Sequence, residues 1–169
     1  MVASPMIHLV CGSTGAGKTT YALALGSRLG AMHLSIDDWM VGLFMADRPA
    51  RADWQWIDER VRRCEGRMVA TALQLGQLGV SSILDLGLQR ADQRQRVASQ
   101  MTAAGRTVQL HFLDIDAEER WRRVQGRNGE RGETFRLEVT RAMFDFIETI
   151  WQPPGAEEMA CLSGVRVAT

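Results

Sequence analysis

The sequence predicts an α/β fold, a parallel β-sheet with helices on both faces. Three observations carry this. Short apolar runs, each the length of one buried strand, alternate with longer segments whose apolar residues recur every three or four positions. Most of the runs close on glycine or aspartate, residues that turn a chain or cap the next helix. The 169 residues are 46% hydrophobic, with 20 basic and 20 acidic side chains, so a sizeable core can be buried and the composition of a disordered chain is absent. One domain over 1–169 is expected.

The elements follow in order. Ile7 to Cys11 reads as a buried strand, and Gly12 to Gly17 as a glycine-rich turn. A helix runs from about Lys18 to Leu29 and stops at Gly30. Ala31 to Ile36 is a second strand ending at Asp37 and Asp38, with a short helix from Trp39 to Phe44 and a loop from Ala46 to Ala52. Asp53 caps a long helix to about Leu78, in which Trp54, Ile57, Val61, Cys64, Met68, Ala72 and Leu75 keep helical spacing. Val80 to Leu84 is the third strand, ending at Asp85; a helix from Ala91 to Ala104 and a strand from Thr107 to Leu113 come next. Ala117 to Gln125 is helical, Gly126 to Gly132 a polar loop, Glu133 to Trp151 a helix, and Met159 to Val167 a fifth strand. In such sheets ligands bind at the carboxyl ends of the strands, which selects Gly12 onward, Asp37, Asp38, Asp85 and the segment after Leu113.

Gly12-Ser13-Thr14-Gly15-Ala16-Gly17-Lys18-Thr19 matches the phosphate-binding Walker A pattern at every fixed position, between a strand and a helix as that pattern requires. Glycine permits the backbone angles that turn N–H groups toward phosphate, and a helix N-terminus adds its positive dipole end. Lys18 would reach the β- and γ-phosphates, and the Thr19 hydroxyl would ligate Mg²⁺; Thr20 closes the predicted binding set. Lys18 is the only lysine in the chain, at a position suited to a compact ammonium.

The acids at the strand ends suit phosphoryl transfer. A carboxylate can accept the acceptor's proton, and Asp37 is assigned that role, with Asp38 on the substrate; the rival is that both only cap the following helix. Ser82-Ile83-Leu84-Asp85 is an apolar strand closing in an acid that would help hold Mg²⁺. Gly87 would let a substrate approach the backbone. Arg120, Arg123 and Arg127 share one helical face, with Arg131 beyond. A mobile lid of about 118–134 could bring these arginines to the transferring phosphoryl; the alternative is a solvated, salt-bridged helix. Arg60, Arg62, Arg63, Arg90, Arg94 and Arg96 are expected at the surface, Trp54 in the core, and His8, His33 and His111 as structural residues on strands.

Other classes are less favoured. Zero net charge argues against a polynucleotide-binding surface. Cys11, Cys64 and Cys161 lack metal-ligand spacing and are expected as reduced thiols. No charged leader precedes Met6 and no apolar run spans a membrane, so a cytoplasmic protein is expected.

Together these residues resemble the small P-loop kinases of the adenylate-kinase-like superfamily, near zeta toxins, chloramphenicol phosphotransferase and polynucleotide kinases. The resemblance rests on Gly12–Thr19, on Ser35-Ile36-Asp37-Asp38-Trp39-Met40, on Leu84-Asp85-Leu86-Gly87, and on Arg120, Arg123, Arg127 and Asn128 with Thr140, Met143 and Phe144. It implies a five-stranded sheet in the order 2-3-1-4-5 and a base at Asp37. It also implies a lid whose first arginine, Arg123, packs on adenine while Arg127 contacts phosphate. Polynucleotide kinases of this group carry an arginine three residues after the aspartate, where this chain has Met40. The leading expectation is transfer of the γ-phosphate of Mg-ATP to a small-molecule hydroxyl. A 5′-hydroxyl polynucleotide kinase and a nucleotide-dependent ATPase switch are the rivals.

Overall fold

The computed structural model describes residues 4–50, 53–130, 132, 135 and 138–168. Five strands, β1 (Met6–Cys11), β2 (Met32–Ser35), β3 (Ser82–Asp85), β4 (Thr107–Leu113) and β5 (Val165–Val167), form one sheet in the order β2-β3-β1-β4-β5. All the pairings are parallel, with Leu9 opposite Leu84, Ser35 opposite Asp85 and Cys11 opposite Phe112. The helices are α1 (Lys18–Leu29), α2 (Ile36–Met40), α3 (Trp54–Gln77), α4 (Ala91–Ala103), α5 (Ala117–Glu130), α6 (Arg141–Ile150) and α7 (Ala156–Cys161).

Alternation along the strands divides the core in two. Ile7, Leu9 and Cys11 of β1 pack with Met68, Val97 and Met101, while Val10 packs with Ala22, Leu25, Ile83 and Leu113. Under α1, His8 and His111 share a buried hydrogen bond of 2.9 Å, and the Tyr21 hydroxyl lies 2.8 Å from the other nitrogen of His111. From β1 the chain crosses to β2 on one side and later, from β3, to β4 on the other. That reversal opens a crevice at the carboxyl ends of β1 and β3.

Several boundaries differ from expectation. The second strand stops at Ser35, whose hydroxyl accepts from the Asp38 amide at 3.2 Å and so starts α2 three residues before Trp39. A π-helical turn, Val41–Met45, continues it. The long helix begins after Asp53 as expected, its carboxylate accepting from the Trp56 amide at 2.9 Å. The predicted loop at 126–132 is helix as far as Glu130. Gly126 and Gly129 avoid positive φ, and the Asn128 side chain bonds both the amide and the carbonyl of Val139, so tertiary contacts override the weak helix propensity of glycine. The next helix begins at Arg141, capped by Thr140, and its expected start at Glu133 lies outside the described residues. Where a strand was expected from Met159 there is α7, and the strand shrinks to Val165–Val167.

Three side chains expected elsewhere are also repositioned. Trp54 is 61% exposed and meets Phe146 edge to face. Arg94, expected at the surface, is fully buried: its guanidinium donates to both Glu158 carboxylate oxygens, at 2.6 and 2.9 Å, and to the Leu88 carbonyl at 3.2 Å. It thereby ties α4 to α7 and to the turn that follows Asp85. Arg120, placed on the predicted lid face, is buried instead.

Removing one partner of such a pair leaves a charge without compensation. Glu158→Ala is expected to cost about 3–5 kcal/mol, or roughly 2–4 °C of Tm per kcal/mol at this chain length. Replacing both residues together (Arg94→Met with Glu158→Leu) should recover most of it. Thermal unfolding of the three proteins is the check.

Candidate active site

The loop Gly12–Gly17 leaves the centre of the sheet and feeds α1. Gly15 and Gly17 hold φ of 82° and 87°, the left-handed region that glycine enters freely. Gly15 is also enclosed: a Cβ there would stand 2.4 Å from the Arg120 carbonyl oxygen and 2.9 Å from a methyl of Val124. The Lys18 ammonium folds over the loop and donates to the carbonyls of Gly12 and Ser13, at 3.0 and 3.2 Å. The first N–H groups of α1 open into the same hollow, which fits the anionic phosphates of a nucleotide.

Two oxygen donors meet beside it. The Thr19 hydroxyl donates to the Asp85 carboxylate at 2.9 Å. Asp85 is buried, and its near neighbour on β2 is His33, whose Nε2 lies 3.7 Å away. That Nε2 is buried without a hydrogen-bond partner. A threonine hydroxyl and a buried carboxylate fit Mg²⁺, which binds through few protein oxygens and keeps phosphate and water for the rest. Among the described residues no group of three or more His, Cys, Asp or Glu could hold a metal unaided.

Asp37 stands at the first turn of α2, two residues beyond Ser35, which lies opposite Asp85. Its surface reaches solvent while protein surrounds it on most sides, the setting of a group on the floor of an open cleft. Partial desolvation, then the like charge of Asp85, push its carboxyl above the ordinary aspartate range, against the pull of Lys18 and Arg127. Asp38 is exposed beside it. Gly87 lies in the turn beyond Asp85, with open space around it.

The arginines of α5 divide. Arg123 reaches over the loop, with one guanidinium nitrogen 3.9 Å from the Cβ position of Gly17, and its Nε donates to Glu119 at 2.7 Å. Arg127 is half-buried, its Nε lacks a hydrogen-bond partner, and the Asp37 charge acts on it. Desolvation pulls its guanidinium below the usual arginine range. Arg120 instead turns behind the loop, where it grips both carboxylate oxygens of Glu148 on α6 at 2.7 and 2.6 Å. Arg131 lies outside the described residues.

The crevice thus gathers the loop Gly12 to Thr20, Asp37, Asp85, Arg123 and Arg127. Five of the arginines expected at the surface are engaged elsewhere: Arg60 over the Trp56 ring at 3.9 Å, Arg62 with Asp58, Arg63 with Glu59, Arg90 with Asp92 and Arg96 with Glu65. Cys11, just before the loop, is buried and its thiol is pushed up to about 12 by desolvation, so it supplies no nucleophile. Sequence reasoning passed over Glu148, an acid on an amphipathic helix with no motif around it, and treated His33 as structural.

The sequence profile of the family described as an AAA domain (AAA_33) matches residues 7–150. The chain belongs to this family. The match runs from β1 to the end of α6 and so includes every residue gathered in the crevice. No curated protein matches the sequence. Among solved structures, the chain resembles the APS kinase CysC of Mycobacterium tuberculosis in complex with AMPPNP and APS, at 21% identity and a TM-score of 0.66, over 98% of this chain and 88% of that one. It resembles Kti12 of Chaetomium thermophilum in complex with ADP-AlF3 at 17% identity and a TM-score of 0.70, over 96% and 88%. A sugar kinase from Janibacter sp. HTCC2649 aligns at 16% identity and a TM-score of 0.66, over 97% and 85%. At these identities the likeness establishes the fold alone, the P-loop NTPase fold with sheet order 2-3-1-4-5.

Two outcomes test the geometry. Gly15→Ala drives a methyl into the α5 backbone and should destabilise the protein by more than about 1 kcal/mol while abolishing binding of a fluorescent ATP analogue. Asp37→Asn should raise Tm near neutral pH. A raised pKa means that ionising Asp37 costs the folded state free energy; the cost is fully present above the folded value and absent below the ordinary 3.8. The gain in Tm should therefore fade as the pH approaches that value.

Proposed function

We propose that this chain is a phosphotransferase that moves the γ-phosphate of Mg-ATP to a hydroxyl of a small molecule. The observation that carries the reading is the convergence of Asp37, Lys18 and Arg127 at the strand ends. There a carboxylate with raised proton affinity shares one crevice with a phosphate cradle and a cation. Mg²⁺, held by Thr19 and Asp85, would neutralise charge on the β- and γ-phosphate oxygens. Lys18 moves from the loop carbonyls to those oxygens. Asp37 accepts the proton of the acceptor hydroxyl, whose oxygen forms a bond to the γ-phosphorus as the bond to the β–γ bridging oxygen breaks and ADP leaves with that electron pair. Arg127 and Arg123 offset the charge on the transferring group and the nucleotide. A balanced charge, and Met40 where the similar polynucleotide kinases carry arginine, favour a small acceptor over a nucleic acid.

A second reading, a nucleotide-dependent switch that binds a partner, has one observation in its favour. Trp54, Phe146 and Met143 leave apolar surface exposed on α3 and α6.

The test is incubation with ATP labelled on the γ-phosphate and Mg²⁺, with and without a fractionated metabolite extract. Label on a small molecule, lost in Lys18→Ala and reduced about 10²–10⁴-fold in Asp37→Asn, supports the kinase. Label released only as free phosphate, at a rate no fraction changes, would favour the switch. The acid limb of kcat/KM should lie above the ordinary aspartate range, since it reports the base in the free enzyme.

A further inference from the structure

We infer that Glu148, far from the phosphate motif in sequence, is a positioning residue for nucleotide binding. It fixes the first turn of the loop to the helix that carries Arg123 and Arg127. The inference rests on the reading of Gly12–Thr19 as a nucleotide cradle, and not on phosphoryl transfer itself.

Five hydrogen bonds meet at one guanidinium–carboxylate pair. The Ser13 hydroxyl, buried, donates to Glu148 Oε1 at 2.6 Å. The same oxygen accepts from an Arg120 terminal nitrogen at 2.7 Å, and Oε2 accepts from the other at 2.6 Å. The first of those nitrogens also donates to the Thr14 carbonyl at 3.2 Å, and Arg120 Nε donates to the Ile115 carbonyl at 2.9 Å. Glu148 is itself placed by a paired helix unit. Trp121 of α5 meets Phe144 of α6 edge-on at 5.3 Å, Arg141 lies over Trp121 at 5.0 Å, and Asn128 grips Val139.

Two consequences follow for the cradle. In a trans peptide the carbonyl and the N–H point in opposite directions. With the Thr14 carbonyl turned to Arg120, the Gly15 N–H is aimed away from α5, into the hollow where phosphate oxygens would sit. The Ser13 hydroxyl is meanwhile engaged behind the loop, so Ser13 serves phosphate through its backbone. The loop is thereby held in its binding shape before the nucleotide arrives, which lowers the ordering cost of binding. Because Arg120 is on α5, the loop and the two cleft-facing arginines move as one body.

The test uses the full chain, Mg²⁺ and a fluorescent N-methylanthraniloyl ATP analogue. Its Kd is measured well below Tm for wild type, Ser13→Ala, Glu148→Gln, the double variant and Ser13→Thr, with Tm recorded for each. Each single loss should weaken the analogue roughly tenfold, and the double should be no weaker than the worse single, because both remove one shared contact. Ser13→Thr, which keeps the hydroxyl, should bind the analogue more tightly than Ser13→Ala. If the variants lose Tm but bind within about twofold of wild type, Glu148 only stabilises the fold and the inference is wrong. Should Glu148→Gln fail to fold, Ser13→Ala decides alone, since it leaves the Arg120 charge paired. Weakened binding in the variants with no label transfer by wild type would sink the kinase reading and leave this one standing.

Discussion

The nucleotide half of the molecule depends on one close approach, that of Gly15 to the carbonyl of Arg120. A helix backbone lies where any other residue would place its Cβ, so the loop can curl only if that position is glycine and only if α5 is seated behind it. The approach also brings Arg120 within reach of the Thr14 carbonyl and Glu148 within reach of Ser13. Steric fit and charge-assisted hydrogen bonds therefore specify the same loop shape, and each kind of contact would lose its geometry without the other. What looks in sequence like a self-contained glycine turn is in the fold one side of a joint with a helix a hundred residues later.

The second constraint is charge. Asp85 ends β3, and Asp37 and Asp38 open the helix that follows the neighbouring strand β2. Desolvation first, and then the like charge of Asp85, disfavour the ionised form, which is why Asp37 holds its proton more tightly than a free aspartate. Lys18 and Arg127 relieve part of the strain from opposite sides. A site arranged this way is poorly stabilised when empty and improves on gaining cationic charge, which Mg²⁺ would supply at the Thr19–Asp85 pair. Electrostatic tension that a stability-driven sequence would remove is what a proton-accepting site retains.

How far the sequence could be read follows from the range of the interactions. The strands and the cradle depend on local signals, apolar runs, an eight-residue pattern and acids near the strand ends, whereas the strand order was implied only by the resemblance to small P-loop kinases. Asp53, Ser35 and Thr140 act within three residues, and capping of that kind is visible in sequence, although only Asp53 was identified in advance. The burial of Arg94 and Arg120 was not visible, since nothing next to them in the chain distinguishes them from the exposed Arg62 or Arg63. Their partners, Glu158 and Glu148, are 64 and 28 residues away. The continuation of α5 through Gly126 and Gly129 was hidden for the same reason, because the bonds from Asn128 to Val139 are tertiary.

The two halves of the crevice are built to different standards, and this explains why a phosphate cradle is legible in the chain while the chemistry of the α2 side is not. Around the cradle, the Arg120–Glu148 pair ties the Gly12–Gly17 loop to α5 and α6, and Asp85 ties α1 to β3 through Thr19. On the α2 side the chain passes through a π-helical turn, a feature often found at functional sites, and leaves Val41, Leu43 and, on α3, Trp54 exposed. Few polar contacts pin this surface. Phosphates present the same geometry to every protein that binds them, so their cradle has a recognisable pattern. An acceptor is met by whichever side chains line one particular cleft, and its identity is written in shape and exposed apolar surface, not in residue spacing.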